Sequence, residues 1–342
     1  MNRPDARRPS FEVTIYDVAA AAGVSARTVS RVLNNSPKVT AETQARVQAA
    51  AAELDWRPSW RARGLATRRS YLLGLMHDEH NALVLGEMLR GAVRKAADRG
   101  YEIIVHPTAI AEHDPIRDAV DFVQRSRVDG VLILAPVSGV EGLATALEGI
   151  GVKTCALSAL MVPGFGATLV YDERRAAAQA AQHLIDLGHR RIALLSGPNL
   201  ISARERRIGF MDTLAKAGLK PVGEVHGDYS FDFGVVGAGR LLALDPKPTA
   251  IISANDAMAA GILKVAARLG VAVPAQLSVV GFDNLLARML TPALTTVQRP
   301  MSQIAEAGVA RLIDLVEERP CLEAFNPDIS LIVSESSGPP AA

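Results

Sequence analysis

The chain has 342 residues, 49% of them hydrophobic, with 37 Lys and Arg against 36 Asp and Glu. That length holds two or three folding units, and the only two cysteines, Cys155 and Cys321, exclude a disulfide framework or a four-cysteine metal site and fit a reducing cytoplasm. The polar, basic opening residues lack an apolar leader and no run approaches the ~18 uninterrupted apolar residues of a membrane span, so neither secretion nor membrane insertion is expected.

The near-zero total hides an asymmetry. Residues 1–70 carry twelve basic and six acidic residues, a net +6, which leaves 25 basic and 30 acidic residues, −5, for the rest. A basic head on an acidic body predicts a polyanion partner for the head alone.

Residues 14 to 54 read as three short helices. Thr14-Ile15-Tyr16-Asp17 has the form of a capping box, so the first helix starts there, with Val18, Ala19 and Ala22 as its apolar stripe. Gly23-Val24 breaks it, and Ser25 is placed to cap a second helix that turns Val29, Val32 and Leu33 inward. Ala26, Arg27, Thr28 and Arg31 remain on its other face, small, hydroxyl and guanidinium groups that suit a nucleic-acid groove. Asn34-Asn35-Ser36-Pro37 ends it, and Thr40 opens a third helix through Val47, Ala50, Ala51 and Leu54. Two helices joined by a tight glycine-containing turn, the second presenting Arg and Thr, match a helix-turn-helix that sets its recognition helix in the major groove.

From Trp56 to Ser70 the chain reads WRPSWRARGLATRRS, with five arginines and too little apolar surface for an isolated helix. It is read as a linker ordered only against a partner. Beyond it, β-branched or leucine-rich runs (Leu72 to Met76, Ile103 to His106, Gly130 to Ala135, Ile192 to Ser196, Thr249 to Ser253, Leu277 to Phe282) alternate with alanine-rich helical stretches. That alternation predicts parallel sheets covered by helices, two of them, with ligands at the strand carboxyl ends. The closing SSGPPAA is expected to be disordered.

The stretch TIYDVAAAAGVSARTVSRVLN, Thr14 to Asn34, resembles the N-terminal signature of the lactose-repressor (LacI/GalR) family of bacterial transcriptional regulators. ARGL (Ala62 to Leu65), HLIDLGHRRI (His183 to Ile192), PTAIISAND (Pro248 to Asp256), VVGFD (Val279 to Asp283) and PALTTV (Pro292 to Val297) follow in the family's order over nearly the whole chain. The resemblance implies an all-α helix-turn-helix head at 12–58, a hinge at 59–70, and a periplasmic-binding-protein-like α/β body of two doubly wound parallel-sheet subdomains. These would take residues 71–168 with 300–326, and 169–299 with 327–338.

It also implies roles for particular residues. Ala26, Arg27 and Arg31 fall where the family reads base edges, while Thr14, Ser25, Thr28 and Asn34 fall where phosphates fix the register. Leu65 holds the hinge position at which paired leucines wedge into the minor groove of a pseudo-palindromic double-stranded operator; Gly64 stands where relatives often have serine. In the cleft between subdomains, Arg206, Asn255 and Asp283 align with groups that hold sugar hydroxyls, and Tyr229 with an aromatic that stacks on the ligand. Leu83, in Asn81-Ala82-Leu83-Val84, replaces an aromatic wall, and Ser158 replaces an aspartate, so a known relative's effector does not transfer. No physical account attaches to Ser334, where relatives often carry arginine.

His77-Asp78-Glu79-His80 carries metal-ligand residue types but is read as a polar strand-to-helix loop at the cleft mouth, either solvated or in polar contact with the effector, since no second histidine or cysteine motif accompanies it. No nucleophile elbow, P-loop or dinucleotide fingerprint is present, so neither catalysis nor a cofactor is implied. The expectation is a homodimeric, effector-controlled repressor, without the leucine-heptad extension that makes some relatives tetramers. Rival readings are a sugar-binding protein without DNA function and a sugar-processing enzyme.

Overall fold

A carboxylate three residues into a helix can reach back to the residue that opens it, and here Asp17 Oδ2 accepts from both the N–H and the hydroxyl of Thr14, at 2.7 and 2.6 Å. Helix α1 (Ile15–Ala21) follows. Ser25 Oγ accepts from the Thr28 amide at 3.1 Å to start α2 (Ala26–Leu33), and Thr40 accepts from Thr43 at 3.3 Å to start α3 (Ala41–Glu53). Gly23 sits at φ +63° in the α1–α2 turn, where a side chain would be strained. Val18, Ala19, Ala22, Val29, Val32, Val47 and Ala50 form the buried core of this three-helix unit.

The protein is represented by a computed structural model that describes residues 13–33, 38–56, 69–78, 81–108, 110, 114–320 and 325–341. The chain divides into two units, Met1–Tyr71 and Leu72–Ala342. Asn34 and Leu65 lie outside the described residues, as do Cys321, Glu79 and His80.

The body repeats one plan twice. In chain order it opens with β1 (Leu72–His77), α4 (Ala82–Asp98), β2 (Glu102–Pro107), α5 (Pro115–Ser126), β3 (Gly130–Ile133), α6 (Leu143–Gly149), β4 (Lys153–Ser158) and β5 (Ala167–Val170). The strands make a parallel sheet in the order β2-β1-β3-β4-β5. The second lobe takes α7 (Glu173–Asp186), β6 (Ile192–Ser196), α8 (Ile201–Lys216), β7 (Gly223–His226), α9 (Phe231–Leu242), β8 (Ala250–Ser253), α10 (Asp256–Arg268), β9 (Ser278–Asp283) and β10 (Thr295–Gln298). Then α11 (Met301–Val316) packs against α4, β3 and β4 of the first lobe, and β11 (Ser330–Ile332) returns to pair antiparallel with β10.

The second sheet runs β11-β10-β9-β8-β6-β7. Leu194, Ile252 and Val280 face α7 and α8, while Leu195, Ile251 and Val279 face α9 and α10, the period-two alternation of strands buried on both sides. In both lobes strand order reverses beside the first strand, and a crevice opens there at the carboxyl ends.

Two expectations are corrected. The subdomain division between residues 168 and 169 falls inside β5, whose pairing with β4 continues to Val170, so the crossover follows that residue. The closing segment is ordered across 336–341: Ser336 is buried, donates to Val279 O at 2.6 Å and accepts from the Thr295 amide, and Gly338 bonds Ser278 and His189. Backbone pairing, which composition does not reveal, ties it down.

Candidate functional site

On α2, Arg27 and Arg31 are one turn apart and both exposed, with Ser25 exposed beside them. Ala26 and Thr28 are half-buried: Ala26 packs on the head core and the Thr28 hydroxyl lies 2.9 Å from Ser25 Oγ. The face expected to be open throughout is therefore formed by guanidinium groups around a partly covered centre. The bonds from Thr14, itself exposed, hold the Asp17 carboxyl below its usual range.

In the body, strand ends from both lobes line one cleft. His77 closes β1, Leu134, Ala135 and Pro136 follow β3, and Tyr171 follows β5; opposite stand Ser202 and Arg206 of α8, Tyr229 before α9, and Arg299 where the chain crosses back to α11. Asn81 caps α4 by accepting from the Val84 amide at 3.2 Å, which turns Val84, Leu85 and Met88 toward the cleft.

Behind this surface lies a ring of four charges. Arg206 donates to both Glu173 oxygens at 2.8 and 3.1 Å and to Ala254 O at 2.5 Å. Arg299 donates to Glu173 at 2.7 Å and to Asp283 at 3.0 Å, and Arg206 stands 3.9 Å from Asp283. Both guanidiniums lie over Phe282, at 4.1 and 5.5 Å from its ring centre, and Arg206 is 5.8 Å from that of Tyr229. Burial alone would raise the Glu173 carboxyl; the charges of Arg206 and Arg299 outweigh it and hold it below its usual range. Asp256, the first residue of α10, behaves oppositely: burial first, then the Asp283 charge, push it up to about 6, although Thr296 and the Leu285 and Leu286 amides bond it.

Of the residues expected in the cleft, Arg206 and Tyr229 line it and four do not. Leu83 is 47% exposed, because α4 starts at Ala82 and turns its next residues inward instead. Ser158 is buried, its hydroxyl accepting from the Leu160 amide at 3.3 Å. Asn255 caps α10 by accepting from Met258 and donates to Tyr229 O at 2.8 Å, so it braces the tyrosine from behind. Asp283 acts through Arg299. His77 is the last strand residue rather than part of a loop, and Asp78 lines the cleft beside it. Glu173 and Arg299 were not anticipated; their signal is that Arg299 directly follows β10, that Glu173 opens α7 just past β5, and that a buried arginine requires a carboxylate. Among the described residues no group of three or more His, Cys, Asp or Glu is placed to hold a metal ion.

An arginine-bearing helix-turn-helix carried on the same chain as a bilobed binding fold defines a class, the ligand-responsive DNA-binding regulators. Comparison with known proteins narrows it. Residues 14–59 match the model of bacterial regulatory proteins of the lacI family, and 181–337 match the periplasmic binding protein-like domain. The ribose operon repressor of Escherichia coli (strain K12) is 32% identical over 94% of this chain and 98% of its own. A Lac repressor dimer bound to operator and the anti-inducer ONPF superposes with a TM-score of 0.78 at 29% identity, covering 96% of this chain and 99% of that one. A complex of the transcriptional regulator CelR with cellobiose gives 0.70 at 28% identity, covering 95% and 100%. This chain belongs to the LacI family and is a DNA-binding transcriptional regulator. No helix among the described residues is long and apolar enough to cross a membrane.

Proposed function

We propose that the protein is a homodimeric repressor that acts in the cytoplasm on a pseudo-palindromic operator and is controlled by a small molecule, a sugar or sugar derivative, bound between its lobes. Ala26, Arg27 and Arg31 read base edges, Thr14, Ser25, Thr28 and Asn34 fix the register on phosphates, and Leu65 of each hinge wedges into the central step. The observation that carries this is the exposed Arg27–Arg31 pair on a capped helix, within a stretch, residues 1–70, of net charge +6. Relatives named for the ribose and lac operons, and the cellobiose complex, support a sugar as effector.

Effector and operator are linked by a coupling free energy. A ligand that touches both lobes favours one relation between them, and the hinges then either meet or stay apart on the DNA. With the hinges apart, affinity falls to the level that phosphate contacts alone sustain. We infer that the protein catalyses nothing, since the carboxylates behind the cleft are engaged by arginines. Fluorescence anisotropy at physiological salt tests the reading: the palindrome upstream of its own gene should bind at least a hundredfold more tightly than random duplex. Equal affinity would sink it.

A further inference from the structure

The cleft holds two buried polar atoms without a well-formed hydrogen bond, His77 Nδ1 and the Tyr229 hydroxyl, the latter facing Ser202. The residues are 6% and 9% exposed, belong to opposite lobes and line the same cleft. Leaving a buried polar atom without a good partner costs free energy, so a ligand that pairs both is favoured at once on each side. A hydroxyl both donates and accepts; it therefore suits either tautomer of His77 and either role of the phenol. Val84, Leu85 and Met88 offer an apolar wall to the C–H face of such a molecule.

Charge restricts the ligand further. Among the described residues, Asp78, Arg206 and Arg299 are the charged groups lining the cleft. Both arginines are already bonded to Glu173 and Asp283, so three carboxylates stand against two guanidiniums. An anion entering here would find no uncompensated cation and would lose its hydration.

We propose that the effector is an uncharged polyhydroxy molecule spanning the lobes, held by His77 on one side and Tyr229 on the other, and that Glu173 and Asp283 exclude its phosphorylated and carboxylated forms by neutralising Arg206 and Arg299. This rests on the cleft being the effector site.

The test uses the full chain, calorimetric titration and thermal shift with matched probes: D-ribose and its phosphate ester, D-glucose with its phosphate ester and its uronic acid, and cellobiose with its aldonic acid. A neutral member should bind and raise the melting midpoint, with its charged counterpart at least tenfold weaker. His77→Ala and Tyr229→Phe should each weaken binding about tenfold, and His77→Asn, which keeps a polar atom near the Nδ1 position, should recover part of the loss. Glu173→Gln should narrow the preference for the neutral member; if that variant does not fold, the two cleft-lining variants still decide. Tighter binding of a charged member, wild-type affinity in the His77 and Tyr229 variants, or binding by no neutral member overturns the proposal. Operator anisotropy on the same samples tests the repressor reading separately, since it can fail or survive whatever the probes do.

Discussion

Arginine serves this protein in two opposite ways. Arg27 and Arg31 stand exposed on α2, whereas Arg206 and Arg299 are 3% and 6% exposed and bonded to carboxylates. A guanidinium taken out of water must be accompanied by its counterion, because the isolated charge costs several kcal/mol. One left in water can answer to a polyanion instead. The head's exposed guanidiniums are thus available to a partner, and the inner charge of the body is consumed where it lies.

Removing the shared counterion should have the largest effect. Glu173→Gln leaves both buried guanidiniums short of a carboxylate and is expected to lower the body's stability by ~3–5 kcal/mol, read from its urea midpoint. A loss under about 1 kcal/mol would mean that the arginines find other partners, and the contrast with the head would collapse.

Next comes pH. Asp256 has its carboxyl raised from 3.8 to about 6 by burial and then by Asp283, so the folded chain holds that proton more tightly than the unfolded chain. Its contribution to stability is complete below the unfolded value and is lost as pH rises through about 6. Glu173, shifted down, runs the other way, and its contribution disappears as pH falls through its folded value. Asp256→Asn should therefore abolish a decline of ~1–3 kcal/mol between about pH 4 and 6, measured against wild type at each pH. An unchanged profile would show that the carboxyl is not held protonated.

Arg27→Ala or Arg31→Ala should weaken operator binding by ~1–3 kcal/mol with relaxed specificity at one base pair, and leave both melting transitions unmoved. A fall in the head's melting midpoint instead would show that the arginine is structural. Smallest is Ser25→Ala, where a lost cap should cost the head about 1 kcal/mol and leave the body's transition untouched.

Legibility divides along the same line. The head was readable because its signals are local: Thr14 and Asp17, Ser25 and Thr28, Thr40 and Thr43 are each three residues apart and bond as their spacing suggests. Alternating apolar runs likewise revealed the doubly wound lobes. The cleft was half legible. Arg206 and Tyr229 were found, but the carboxylate that holds Arg206 also holds Arg299, 126 residues away, and no spacing rule spans that interval. Asn255 and Ser158 carry the same groups whether they meet a ligand or a neighbouring amide, and the backbone took both. The closing segment misled because serine, glycine and proline look alike in a free tail and in one stitched to Ser278 and Val279.

The return of α11 to the first lobe has a consequence during synthesis. Ile304, Ala305, Val309 and Leu312 bury one face of the first sheet, with Gly308 set close against Leu132 and Leu157. A ribosome finishes β5 at Val170 long before it reaches Met301, and everything between belongs to the other lobe. The earlier lobe thus waits with apolar strands uncovered until the later one has been made, the interval in which a nascent chain is most exposed to aggregation and most dependent on chaperones.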